Sequence, residues 1–272
     1  MTLIIAHRGA RSSAPENTMA AARAAIAAGA DRWETDVAVT KDGELVLLHD
    51  ATLARTTDAP DRFPGREPWN SCEFTLDEIR SLDAGSWYAR TDPFGLIAAG
   101  EVGEETWSTY RGEQVPTLAE ALRFTRDNAF PVNLELKRLS PPLRGFPLAE
   151  RVLAMIDALE VDHGLVILSS FHHEWLREIQ QRAPSIPVQA LIGDSQSVLP
   201  DWETDVEFKT YNVLSALINE GQIRDLARRG ISVNLFTVNT EEEMLRFARA
   251  GVAGLFTDFP QRAVKLLRET QG

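Results

Sequence analysis

The amino-acid sequence predicts an α/β protein built as one (β/α)8 TIM barrel spanning residues 1–272. Three observations lead there. Short apolar runs alternate with amphipathic helical patterns along most of the chain, as parallel strands joined by helices require. The units number eight, and 272 residues is an ordinary length for that architecture. Within Asn133-Leu134-Glu135-Leu136-Lys137 the polar residues share one face and the leucines the other. A strand flanked in sequence by helices turns its apolar face towards them, which leaves Asn133, Glu135 and Lys137 pointing into the barrel.

The first unit opens at 3–7, LIIAH, a buried strand that breaks at Gly9. ARSSAPEN is a polar turn; Asn17 or Thr18 caps the helix MAAARAAIAAG, and Gly29 ends it. A second strand starts near Trp33 and runs into a hairpin whose return arm is 44–49. Residues 51–116 break the rhythm. They are rich in Asp, Pro, Gly and Trp, hold one helical candidate at 76–82, and read as an insertion after the second-strand hairpin. Thr117 with Glu120 forms a capping box that opens a helix to about Asp127. Further strands are expected at 132–136, 165–169, 188–192, 206–211, 232–238 and 254–257. Helices are expected at 147–159, 173–183, 219–229, 240–250 and after Pro260, while 193–203 offers only a loop or a short helix.

The stretch 34–50, ETDVAVTKDGELVLLHD, concentrates the chemistry. Glu34 and Asp36 lie two apart in a β-favouring run, so both carboxylates leave one face. Asp42-Gly43 reads as a two-residue turn, which sets Lys41 against Glu44, Val39 against Val46 and Asp36 against His49. The competing reading is a solvated surface hairpin with an acidic strand and a lone histidine.

Composition narrows the rest. A net charge of −12 opposes a nucleic-acid partner, which needs a basic face, but permits a small anionic substrate wherever a few bases or a cation reverse the local sign. The single cysteine, Cys72, allows neither an intrachain disulfide nor a cysteine metal site. No signal-peptide pattern and no apolar window of membrane-spanning length is present, so a soluble, cytoplasmic protein without stable membrane association is expected. The oligomeric state is left open.

Barrel enzymes carry their chemistry at the C-terminal ends of the strands. Those ends collect His7 and Arg8 from the first strand, Glu34 and Asp36 from the second, and Glu135 and Lys137 from the third. The hairpin returns His49 and Asp50 to the same rim. Three carboxylates without cysteine or clustered histidine suit one hard divalent cation, Mg²⁺ or Ca²⁺. Arg8 and Lys137 offer positive charge to a phosphate, and two imidazoles can act as general base and general acid. An internal Glu135–Lys137 salt bridge is the alternative use of that pair. The inventory fits metal-assisted phosphoryl transfer.

The chain resembles the glycerophosphodiester phosphodiesterases. The resemblance rests on AHRGA at 6–10, PENT at 15–18, ETDV at 34–37, KDG at 41–43, HD at 49–50, LDAGSW at 82–87, VPTLAEAL at 115–122, NLELK at 133–137, SSF at 169–171, FTVN at 236–239 and GLFTDFP at 254–260. Each string is short, but their order over nearly the whole chain is specific. The resemblance implies a barrel that hydrolyses a glycerophosphodiester to glycerol 3-phosphate and an alcohol. It carries the acid/base pair onto His7 and His49, the metal ligands onto Glu34, Asp36 and Glu135, and phosphate contact onto Arg8 and Lys137. Glu16 and Asn17 become supporting residues of the first loop, and 51–116 becomes the insertion that shapes the substrate mouth. Two departures concern the alcohol half of the substrate. Phe236 stands where many members have Trp, which keeps an aromatic wall but removes an N–H donor, and 92–112 is extra.

One rival is a phospholipase D-like enzyme acting on a lysophospholipid, with Trp69, Phe74, Trp87, Phe94 and Trp107 forming an acyl groove. Another is a non-catalytic barrel that binds phosphodiesters. His163, His172 and His173 are assigned surface roles, although His172 lies near the rim. Asp258 is either a partner to the site or a cap for the last helix.

Overall fold

Among the described residues nine strands form the sheet: β1 (Leu3–Ala6), β2 (Arg32–Val39), β3 (Leu45–Leu47), β4 (Val132–Leu136), β5 (Val166–Ser170), β6 (Val188–Ile192), β7 (Thr210–Leu214), β8 (Ser232–Phe236) and β9 (Gly254–Thr257). The structure is a computed structural model and describes residues 1–139, 141–194 and 200–268. Eight strands pair in parallel in the order β1-β9-β8-β7-β6-β5-β4-β2, and the pairing of β1 with β2 closes the barrel. β2 outruns it. Arg32 and Trp33 pair with β1, while Val37, Ala38 and Val39 pair with the antiparallel β3 outside the ring.

Helices Met19–Ala27, Leu118–Asn128, Leu148–Ala158, His173–Arg182, Glu220–Arg228, Glu241–Ala250 and Pro260–Arg268 surround the barrel. Thr18, not Asn17, caps the first, and the Thr117–Glu120 capping box is formed. Apolar strand faces meet these helices: Leu134 and Leu136 are buried in the outer core with Leu118, Leu122 and Val152. Removing such side chains from water is the main stabilising term of the fold. The barrel interior holds a polar network. Asn133 donates to Gln189 at 3.0 Å, Ser169 donates to Asn133 at 2.6 Å, and Asn234 donates to Asn212 at 2.8 Å.

Two expectations are corrected. The strand placed at 206–211 lies at Thr210–Leu214. The apolar residues Val206 and Phe208 pack into the outer core from an irregular stretch, where the Tyr211 hydroxyl accepts from the amides of Glu207 and Phe208. The hairpin register also differs by one residue. Ala38 pairs with Val46 and Val39 with Leu45, so Thr40 meets Glu44 and Asp36 meets Leu48, not His49. The loop has three residues and ends on Gly43 at φ +82°, the left-handed geometry of a three-residue hairpin loop. Thr40 Oγ1 donates to Asp42 Oδ1 and accepts from the Glu44 amide, which fixes that count. The connection at 193–203 falls partly outside the described residues.

Residues 51–116 contribute no strand to the barrel and pack two satellite cores, one around Leu53, Phe74 and Ile79, the other around Trp87, Tyr88 and Tyr110. Tyr88 and Tyr110 donate to the carbonyls of Ser12 and Ser13 at 2.5 and 2.8 Å, which ties this stretch to the first βα loop. No helix among the described residues is long and apolar enough to cross a membrane.

Candidate active site

The first strand ends in a sharp turn. Arg8 and Gly9 both take positive φ, +56° and +79°. A Cβ on Gly9 would stand 2.6 Å from the backbone carbon of Ala21, so only glycine lets the turn close on the helix. The turn directs the Arg8 amide onto Glu34 Oε2 at 2.8 Å and the Gly9 amide onto the Glu34 carbonyl at 3.1 Å.

Register does the rest. Asp36 pairs with Glu135 and Glu34 with Asn133, so all three carboxylates project from one face of adjacent strands. Glu34, Asp36 and Glu135 each offer an oxygen within 4.8 Å of the others. Glu34 and Asp36 are 3% and 1% exposed. Burial, then Asp36 and Glu135, pushes the Glu34 carboxyl well up; burial also raises Glu135, against Lys137. Burial opposes ionisation of Asp36 too, but Lys137 and Arg8 overcome it and hold that carboxyl low. Lys137 Nζ stands 2.9 Å from Asp36 Oδ1 and 2.8 Å from Glu135 Oε1, so the expected salt bridge exists and extends to a second acid. Three carboxylates face two bases, an excess of negative charge in a buried, oxygen-only donor set. That set fits a hard divalent cation, with Glu34, Asp36 and Glu135 as its holders.

The two histidines reach the mouth from different strand ends. His7 follows β1, and its Nδ1 lies 2.7 Å from Asp258 Oδ1. His49 follows β3, and its Nδ1 lies 2.8 Å from Asp50 Oδ1. A carboxylate only accepts, so each Nδ1 carries the proton and each Nε2 is left for chemistry. Burial lowers the His7 pKa, with Asp258 opposing. Asp258 is driven down to about 2, because His7, Arg11 and Asn239 outweigh the cost of its burial. Of the two roles foreseen for Asp258, the structure realises the partner to the site. His49 is near the triad although the register does not place it opposite Asp36, because the chain leaves the ladder after Leu48.

A cavity of about 290 Å³ joins these groups. His7, Arg8, Glu34, His49, Glu135 and Lys137 line one side, and Phe171, Leu191, Leu214, Phe236 and Phe256 line the other. Arg8 Nε is buried there without a hydrogen bond, 3.6 Å from Asp36 Oδ2. Phe236 forms an aromatic wall with Phe171, centroids 6.2 Å apart. Among the described residues, none of the cavity lining comes from 51–116. The aromatic residues that could form an acyl groove pack elsewhere. Trp69 and Phe74 belong to one satellite core, Trp87 and Trp107 to the other, and Phe94 stacks edge-on against Phe259.

Asn17 donates to Asp36 Oδ2 at 2.9 Å and accepts from Thr35, and Glu16 lies next to it, 4% exposed. Three residues not singled out from sequence also belong to the site. Asn239 donates to Asp258 at 2.8 Å, and Arg11 and Arg55 pair with Glu16 at 2.7 Å. Asn239 lies in FTVN and Arg55 five residues after Asp50, but neither spacing has a strand or helix period to reveal it. His172 stacks on Trp175, and His163 bonds Ser185 and Asp157, away from the cavity.

Residues 7–262 match the model of the glycerophosphoryl diester phosphodiesterase family. A glycerophosphodiester phosphodiesterase of Caldanaerobacter subterraneus subsp. tengcongensis is 33% identical, over 98% of this chain and 98% of that protein. One of Bacillus altitudinis is 32% identical over 99% of each. The structure of an Oleispira antarctica phosphodiesterase in complex with the product sn-glycerol-3-phosphate superposes with a TM-score of 0.76 at 26% identity, covering 98% of this chain and 97% of that one.

Proposed function

Because this chain belongs to the glycerophosphoryl diester phosphodiesterase family, we propose that it hydrolyses glycerophosphodiesters to glycerol 3-phosphate and an alcohol, using one divalent cation, Mg²⁺ or Ca²⁺, and two histidines. The observation that carries the proposal is the meeting of three carboxylates within 4.8 Å and two carboxylate-held imidazoles at one cavity. A cation held by Glu34, Asp36 and Glu135 supplies Lewis-acid stabilisation of the charge that builds on the phosphoryl oxygens.

The chain's own residues do the remainder. Arg8, whose buried Nε makes no hydrogen bond, and Lys137 bind the phosphate and offset its charge. His7, kept neutral by burial, removes the proton from the attacking oxygen at Nε2. His49 delivers a proton to the departing alkoxide, and Asp258 and Asp50 hold the two rings. The apolar wall of Phe171, Phe236 and Phe256 excludes water beside the reacting ester. The acidic surroundings and small cavity favour a compact, soluble diester over a lysolipid.

The test is a head-group panel with added divalent ion. Glycerophosphocholine turns over, chelation abolishes the reaction, and Mg²⁺ or Ca²⁺ restores it. His7→Ala and His49→Ala each reduce kcat by more than about a thousandfold with the fold intact. Preferred turnover of lysophosphatidylcholine supports the rival enzyme, and tight binding without turnover supports the binding barrel.

A further inference from the structure

The two histidine–aspartate pairs sit on separate segments of the chain, after β1 and after β3, yet their aspartates lead to one residue. Arg11 Nη1 stands 3.5 Å from Asp258 Oδ1, and its Nη2 donates to Glu16 Oε2 at 2.7 Å. On the other side Arg55 Nε and Nη2 donate to Asp50 at 2.6 and 3.1 Å. The same guanidinium donates to Glu16 at 3.0 and 2.7 Å. Glu16 also accepts from Arg8 Nη1 at 2.8 Å. The Glu16 side chain is only 2% exposed and its contacts to the three arginines run from 2.7 to 3.0 Å, so there a forked guanidinium fixes direction as well as charge; the Arg11–Asp258 contact at 3.5 Å is the longest of the set.

We propose that Glu16 is the shared positioning residue of both histidines, acting through Arg11 and Asp258 on His7 and through Arg55 and Asp50 on His49. Glu16 touches neither imidazole. It fixes two guanidinium planes, each plane fixes one aspartate, and each aspartate fixes a ring and its Nδ1 proton. The burial of Glu16 with three arginines then has a purpose beyond stability: one carboxylate keeps two proton-transfer groups in a common geometry. Ring orientation matters because proton transfer falls steeply when the imidazole turns away from its partner.

The proposal rests on the assignment of proton transfer to His7 and His49, and its test separates the two. Imidazole ¹H–¹⁵N spectra of the intact protein, assigned with His7→Gln and His49→Gln, report ring environment without any need for turnover. Glu16→Gln should shift the signals of both histidines, Arg55→Ala that of His49, and Arg11→Ala that of His7. In a glycerophosphocholine assay with Mg²⁺, Glu16→Gln should lower kcat by about 30- to 100-fold with KM within threefold, and each arginine variant by about tenfold. Should Glu16→Gln fold poorly, the two arginine variants decide the matter by their split between the histidines. A Glu16→Gln spectrum in which neither or only one histidine moves overturns the proposal, as does an arginine variant that shifts both rings equally. Full turnover in His7→Ala or His49→Ala overturns the functional assignment instead and leaves the spectra to judge the coupling.

Discussion

Glu16 and Glu34 stand at the same barrel mouth, 4% and 3% exposed, and meet opposite surroundings. Glu16 lies among three guanidinium groups, which hold its carboxyl at about 2 against the cost of burial. Glu34 lies against Asp36 and Glu135, and burial with those two acids drives its carboxyl up. One centre is electrostatically complete. The other carries like charges close together, which a fold tolerates only where something else compensates. The difference separates a carboxylate balanced by neighbouring bases from carboxylates whose mutual repulsion a bound cation would relieve.

The sharpest way to break that comparison is Glu34→Gln. Removing one of three crowded acids should cost turnover at least about a thousandfold, since in the proposed reaction roughly 4 kcal/mol or more of transition-state stabilisation would depend on a cation held there. The same change should raise Tm of the cation-free protein by about 2–4 °C, the shift that roughly 1 kcal/mol gives in a chain of this size. Mg²⁺ or Ca²⁺ should raise the Tm of the parent protein, and Glu34→Gln should erase that rise. Thermal unfolding with and without the ion checks both. A lower Tm in the cation-free variant would mean that the triad is satisfied by Arg8 and Lys137 alone.

Acid sharpens the contrast from the side of Glu16. A carboxyl held at about 2 in the fold and near 4.5 when unfolded gives stability that is complete above pH 4.5 and lost as the pH falls towards 2. From that difference, lowering the pH from 5 to 3 should remove roughly 2 kcal/mol through Glu16. Asp258, held at about 2 from 3.8, adds a smaller loss over the same range. Urea unfolding at the two pH values should show a shallower dependence for Glu16→Gln than for the parent. Equal slopes would refute the arginine-held carboxylate.

The two centres also differed in how far the sequence disclosed them. The triad obeys strand parity: Glu34, Asp36 and Glu135 sit at spacings that an eye for period two finds, and the parallel register of β2 and β4 completes the set. The barrel was legible for the same reason, since strands and amphipathic helices announce themselves by period. The hairpin was misread by one residue because Asp42-Gly43 serves a two-residue and a three-residue loop equally well, and only the Thr40 side chain decides. Glu16 was visible in PENT and its partner Arg8 in AHRGA, but Arg11 and Arg55 were not. Arg11, Arg55 and Asp258 converge from three separate loops, and loop geometry leaves no period to read.

The smallest effect concerns Arg55, where stability and chemistry should part. Its side chain is 42% exposed, although its contacts to Glu16 and Asp50 are short and forked. A half-solvated pair gives up much of its attraction to water and to the entropy of holding a long side chain, so Arg55→Ala should cost less than about 1 kcal/mol of unfolding free energy. Arg8 and Arg11 remain to neutralise Glu16. Yet the same variant is expected to lower turnover about tenfold, because Asp50 loses the fork that aims it at His49. Urea unfolding beside steady-state kinetics compares the two readouts on one protein. A loss above about 2 kcal/mol would make Arg55 chiefly a structural tie. The arginine-held centre would then stabilise the fold without directing the histidines.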